Sequence, residues 1–354
     1  MIKRFSPTYE NLRPLGRTHL LNDTLWMAYS ASGAAFTFTG RYCAVTIAGD
    51  STSLSENERD NQARIAIEVN GRRVVEELVD TPEKTHVVFE ADKAQDVTVR
   101  VIKLSESAMS TCAIKWISVD TEDRIRPVAA KAHRIEIVGD SITCGYGTDD
   151  LDGEHHFVTG TEDATKAYAY KTAQALNADY SLVSLSGYGI ISGYTATAEE
   201  KVDQILPRYY DRLGFSYGSY LGMKPQEVAW NFAAQPELIV INLGTNDDSY
   251  CLDHADRQLD YQQNYTAFLK KVRSHNPDAK LLCVLGLMGD RLYPFVEKAA
   301  AAYTEETGDS NIACMRFPVQ LAEDGYAADW HPSVVTHDKA VERLTAEIRG
   351  LMGW

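Results

Sequence analysis

Four short motifs carry side chains that could do chemistry together: Gly139-Asp140-Ser141, Ser186-Gly187, Gly244-Thr245-Asn246-Asp247 and Asp329-Trp330-His331-Pro332. A serine hydroxyl is a weak nucleophile until a base takes its proton, and His331 is the candidate base for Ser141. The second ring nitrogen of that histidine needs an acceptor to fix its tautomer, and Asp329 is the nearest carboxylate. An attacked carbonyl becomes an oxyanion, which calls for preorganised donors. The Ser141 N–H, the Gly187 N–H and the Asn246 side-chain amide could supply three. The parts are those of acyl transfer. Asp140 reads as a loop-holding residue, and Trp330, inside the fourth motif, and Tyr188, directly after the second, as candidates for substrate contact.

Positioning these residues requires a sheet edge. From about residue 133 the chain alternates strand-like runs ("RIEIVG", "YSLVSLS", "ELIVINLG", "KLLCVLGL", "IACMRF") with helical periods. Tyr261, Tyr265, Phe268, Leu269 and Val272 line one helical face; Val341, Leu344, Ile348 and Leu351 line another. Near-continuous apolar strands separated by helices predict a parallel sheet covered on both faces. In such sheets functional residues gather beyond the carboxyl ends of the strands, where the motifs fall. Residues 1 to about 120 read differently. "AAFTFTG", "YCAVTIAG", "THVVFEA" and "DVTVRVIKLS" are short alternating runs, and "VNGRRV" signals a hairpin. They predict a jelly-roll-like β-sandwich. The charged, Pro-containing segment 119–133 is the connector, giving expected domains 1–125 and 126–354.

The net charge of −15 disfavours nucleic acid and anionic membranes as partners, whereas neutral sugars meet no such obstacle. No run is long and apolar enough for a membrane span, and no apolar run follows the basic N-terminal residues. The six cysteines are scattered without a CxxC pair. They read as free thiols, and a cytoplasmic location is expected. The acidic loop "TDDLDGEHH" (148–156) lacks the spacing of a calcium loop and reads as solvated, with His155 and His156 within reach of the site mouth. The aromatic segment 207–223 reads as a long insertion that packs in a loop or lines a subunit interface, so a homo-oligomer is open.

The motifs "GDSITCGYG", "SG", "GTND" and "DWHP", in this order, resemble the four blocks of the SGNH (GDSL) hydrolase superfamily over about residues 133–354. A β region of ~120 residues ahead of them resembles carbohydrate esterase family 2. The resemblance implies a flavodoxin-like catalytic domain with a five-stranded parallel sheet, and an enzyme that removes acetyl groups from acetylated oligosaccharides without a cofactor. It implies Ser141 as nucleophile, His331 as base, and Gly187 and Asn246 as oxyanion donors. Two other readings are a lipase or thioesterase on the same scaffold and a non-catalytic carbohydrate-binding protein. Many SGNH enzymes have Asp-x-x-His; here position 328 is alanine and the aspartate lies two residues before the histidine. Members of the family orient the histidine with a carboxylate or with a backbone carbonyl. The Asp329 carboxylate is the expected acceptor here, because a tight turn before Pro332 would bring it to the ring.

Overall fold

Strand patterning of period two builds the first part of the chain. The computed structural model describes all 354 residues. Ten strands form one antiparallel sheet: β1 Ile2–Phe5, β2 Arg13–Leu15, β3 Thr18–Leu21, β4 Thr24–Met27, β5 Gly33–Gly49, β6 Arg64–Val69, β7 Arg72–Leu78, β8 Glu83–Lys103, β9 Cys112–Asp120 and β10 Arg126–Pro127. Their main path runs β3-β4-β9-β5-β8-β6-β7. Alternate side chains such as Phe36, Val45, Ile67, Val99 and Ile117 close on one buried core. The hairpin at 70–71 is as expected: Asn70 and Gly71 both take positive φ (50° and 79°) between β6 and β7, the backbone a tight right-twisted hairpin needs.

Two expectations change. The runs 34–40 and 42–49 are one 17-residue strand, and 85–91 and 96–103 belong to one 21-residue strand. Register shifts near Gly40 and Cys43 bend the β5–β8 pair, and a bulge interrupts the alternation that sequence reading depends on. Segments 158–163 and 212–229 also belong to this first unit, with Met1–Lys131. Asp163 is fully buried there against Arg73 at 2.7 Å, and the Glu162 carboxylate accepts the Glu106 N–H at 2.7 Å. Tyr217 within 212–229 is exposed.

The second unit comprises Ala132–Phe157, Ala164–Asp211 and Trp230–Trp354. Its parallel strands are β11 His133–Gly139, β12 Ala178–Ser184, β13 Leu238–Asn242, β14 Lys280–Leu287 and β15 Ile312–Val319, in the order β12-β11-β13-β14-β15. This is the flavodoxin-like order, with its switch point at β11. Every residue of β13 is buried, which explains the unbroken apolar runs. The helices are α1 Ser141–Cys144, α2 Tyr168–Ala175, α3 Thr245–Cys251, α4 Ala255–His275, α5 Tyr293–Thr307 and α6 Val334–Met352. The face read from the sequence, Tyr261 to Val272, is the buried face of α4.

Gly139 ends β11 because the turn into α1 folds back on it. A methyl group there would lie 2.0 Å from Thr143 Oγ1 and 2.8 Å from its Cβ. Thr143 cannot yield freely, since its hydroxyl meets the buried Tyr168 hydroxyl at 2.8 Å, which also accepts from Asn242 at 3.1 Å. Gly139→Ala is therefore expected to destabilise by about 1–3 kcal/mol through overpacking. The readout is the urea midpoint at constant m-value. An unchanged midpoint would mean that the turn is looser than described.

Candidate active site

The ends of β11, β12 and β13 and the loop before α6 bring the four motifs to one edge of the parallel sheet. Ser141 is the first residue of α1, and the Asp140 carboxylate caps that turn by accepting the Ile142 N–H at 3.1 Å. The Ser141 Oγ lies 2.9 Å from His331 Nε2. The other ring nitrogen, Nδ1, lies 3.1 Å from the Ala328 carbonyl and 3.2 Å from the Asp329 carbonyl. Carbonyl oxygens only accept, so Nδ1 carries the proton and Nε2 presents its lone pair to the serine hydroxyl. Burial drives the His331 pKa down to about 4, although both carbonyls and the nearby Asp329 charge favour the cation. The ring is therefore neutral, and able to act as a base, well below neutral pH.

The expected role of the Asp329 carboxylate is corrected by this geometry. Its oxygens do not meet the ring. They accept from Tyr146 Oη at 2.8 Å, the Phe157 N–H at 2.9 Å and His156 Nδ1 at 3.0 Å. Burial would raise its pKa, but these three donors hold it below the ordinary carboxylate value. The reason lies in the backbone. Asp329 and Trp330 are both left-handed, at φ 49° and 61°. Two successive left-handed residues turn the main-chain carbonyls toward His331 and carry the carboxylate away. The conformation is costly for Trp330, at about 1–3 kcal/mol, and is held in place by the Asp329 N–H on the His155 carbonyl (2.9 Å) and the Trp330 N–H on the Gly153 carbonyl (3.2 Å). Gly147 admits this loop, since a Cβ there would lie 2.7 Å from the Ala328 methyl.

The three expected oxyanion donors differ in how they are engaged. The N–H groups of Ser141 and Gly187 donate to no protein acceptor. Gly187 has a φ of +80° and open space where a Cβ would stand. Asn246 Nδ2 donates to the Tyr188 carbonyl at 3.0 Å and sits 3.4 Å from Asp140 Oδ2, too long for a well-formed bond. One amide N–H is thus used for orientation, and the other is only loosely engaged. Tyr188 is a correction: it is 3% exposed and its ring packs edge-on to Tyr209, so it contributes its carbonyl and no surface. Trp330 is 53% exposed, beside His331 in the chain.

Two functional residues escaped sequence reading. The buried Asp247 accepts from the N–H groups of Ile190, Ile191 and Ser192 at 2.7–3.1 Å, pinning the chain just beyond Gly187. Burial raises its pKa to about 6 despite those bonds. Asp140, also fully buried, is raised to about 7 by burial, and the charge of Asp247 adds to this. Tyr146 stacks on the His331 ring with centroids 3.9 Å apart and planes 23° from parallel. Both residues lay inside quoted motifs, but neither type signals its role.

A serine aligned to a neutral histidine, with free backbone donors beside it, is the machinery of a serine hydrolase. The profile of the GDSL-like lipase/acylhydrolase family matches residues 137–339. The chain belongs to the GDSL-like lipase/acylhydrolase family. The N-terminal domain profile of carbohydrate esterase 2 matches residues 15–128. Among its relatives, a cellulase/esterase of Acetivibrio thermocellus is 34% identical over 229 residues, covering 62% of this chain and 26% of its own. The present chain thus spans about a quarter of that relative. An acetylxylan esterase / glucomannan deacetylase of Cellvibrio japonicus is 25% identical over 348 residues, covering 97% of this chain and 90% of its own. A family two carbohydrate esterase from Clostridium thermocellum, solved with cellohexaose, superimposes with a TM-score of 0.82 at 26% identity, covering 97% and 99% of the two chains.

The histidine environment of this GDSL-family chain sets a pH profile. Protonation of His331 removes the base, and its pKa is displaced downward from 6.5 to about 4. Hydrolysis of nitrophenyl acetate should therefore keep its kcat/KM from pH 7 to about pH 5 and fall tenfold per pH unit only below about 4. An acid limb centred at 6.5 would contradict the buried, carbonyl-held ring.

Proposed function

We propose that the chain is a serine esterase that removes O-acetyl groups from acetylated xylo-, manno- or gluco-oligosaccharides. The observation that carries this reading is the 2.9 Å contact between Ser141 Oγ and His331 Nε2, on a GDSL-type domain preceded by a carbohydrate esterase 2 N-terminal domain. Ser141 Oγ attacks the acetyl carbonyl as its proton passes to Nε2. The carbonyl π pair moves onto oxygen, where the N–H groups of Ser141 and Gly187 and the second Asn246 N–H would donate to it. Collapse expels the sugar alkoxide, which takes the proton from Nε2. Water then repeats the sequence on the acetyl-serine, releasing acetate. Trp330, exposed and next to His331 in the chain, is in keeping with a sugar leaving group, because an indole suits stacking on a pyranose. The related Cellvibrio japonicus enzyme, an acetylxylan esterase and glucomannan deacetylase, points to the same substrate class.

Acetate release from acetylated xylo- and manno-oligosaccharides, followed by loss of acetyl signals in NMR, tests the substrate class. Nitrophenyl esters of increasing acyl length separate a deacetylase from a lipase. Preference for long acyl chains, with no release from sugars, would overturn the proposal. Ser141→Ala should lower kcat by on the order of 10⁴-fold or more with the fold intact. Near-normal turnover would remove Ser141 as nucleophile. Asn246→Ala should cost about 10²–10³ in kcat, because an oxyanion donor acts mainly in the transition state. A rise in KM at constant kcat would make Asn246 a substrate-binding residue instead.

A further inference from the structure

His331 becomes a cation each time it takes the Ser141 proton, yet the groups on its Nδ1 are neutral carbonyls. The Asp329 carboxylate is turned off the ring, but it remains connected to the ring through another side chain. Tyr146 stacks on His331, and its hydroxyl donates to Asp329 Oδ2 at 2.8 Å. Phe157 stacks in turn on Tyr146, at 4.1 Å and 21°, and its N–H donates to the same carboxylate oxygen at 2.9 Å. His156 engages Oδ1 at 3.0 Å. The carboxylate thus holds Tyr146, whose ring lies against the base, and the backbone of Phe157, whose ring lies against Tyr146. A phenol that donates to a carboxylate gains electron density, and the face of its ring is the negative pole of its quadrupole. That face is what the imidazole meets.

We propose that the Tyr146 ring face stabilises the His331 imidazolium, and that Asp329 acts on the base through Tyr146, as a positioning residue, in place of a direct bond to Nδ1. The effect favours the cation over the neutral ring, so it acts on the transition state more than on the bound substrate. The transferred proton passes from Ser141 Oγ to His331 Nε2 and from there to the leaving alkoxide; the other proton stays on Nδ1, hydrogen-bonded to the two carbonyls. The inference rests on the serine-esterase reading only in requiring that proton transfer. A cation on an aromatic face is worth roughly 0.5–2 kcal/mol, which corresponds to about two- to thirtyfold in rate.

The test uses the full chain and nitrophenyl acetate, so that it stays readable even if sugar esters prove to be poor substrates. Activity on the nitrophenyl ester without deacetylation of oligosaccharides would overturn the substrate assignment alone. Tyr146→Phe keeps the ring and loses the hydroxyl, and should lower kcat about two- to fivefold at constant KM. Tyr146→Leu should lower it by up to about thirtyfold. Asp329→Asn, which also removes the charge near the ring, should cost at least as much as Tyr146→Phe, and the double variant should be no worse than Asp329→Asn alone, since both cut the same connection. Phenylalanines carrying one, two and three ring fluorines, installed at position 146, keep the ring's shape while draining its face. Log kcat should fall steadily along that series while KM and the melting temperature hold. A flat fluorine series, or additive losses in the double variant, would overturn the proposal even if Tyr146→Leu proves unstable.

Discussion

The hydrogen bond from His331 Nδ1 to the carbonyls of Ala328 and Asp329 is the constraint on which the site depends. It puts the proton on Nδ1, which leaves the Nε2 lone pair for Ser141. Much of the surrounding chain serves to hold those two carbonyls in place. The paired two-residue strands Tyr326–Ala327 and His331–Pro332 close the loop from below. Ser333 anchors its exit, donating to the Asp324 carbonyl at 2.7 Å while capping α6 through the Thr336 N–H. The loop 150–157 secures its outer side through backbone bonds to Asp329 and Trp330. A backbone acceptor cannot swing away as a side chain can, but it brings no full charge. The two carbonyls and the nearby Asp329 charge favour the imidazolium, and the stacked Tyr146 ring adds a face of the right polarity beside it.

On the serine side, rigidity comes from buried carboxylates. Asp140 fixes the turn that bears Ser141, and Asp247 fixes the chain that follows Gly187. Removing a carboxylate from water is costly, and the raised pKa values of both groups express that cost. Backbone N–H groups offset it, three of them for Asp247. In the proposed mechanism this would leave the Ser141 and Gly187 N–H groups set before any substrate arrives, with no reorganisation needed as charge develops on the oxyanion.

The catalytic order and the parallel sheet were legible in the sequence for a physical reason. A parallel sheet buried on both faces demands continuous apolar strands, and functional residues at their carboxyl ends fall immediately after those runs. Ser141, Gly187 and Asn246 could therefore be placed by position alone, as could the buried face of α4. The β unit was legible as a class, through alternation and the Asn70-Gly71 hairpin. It was not legible in its connectivity. The long bent strands β5 and β8 read as separate pieces, because a bulge resets the period of two.

What the sequence by itself determined is which residue types meet at one sheet edge: a serine, a histidine, glycine amides and an asparagine. What only the tertiary structure decided is how they are oriented. Spacing put Asp329 within reach of His331, but two left-handed residues sent its carboxylate to Tyr146, His156 and Phe157 and turned the main-chain carbonyls to the ring instead. Tyr188 lay directly after the motif that ends in Gly187, but packing against Tyr209 buried its ring and left only its carbonyl to act. Chain spacing limits the distance between two residues, whereas the sign of a backbone dihedral decides which side of the chain each group faces. That sign is set by contacts with loop 150–157, more than 170 residues earlier in the sequence.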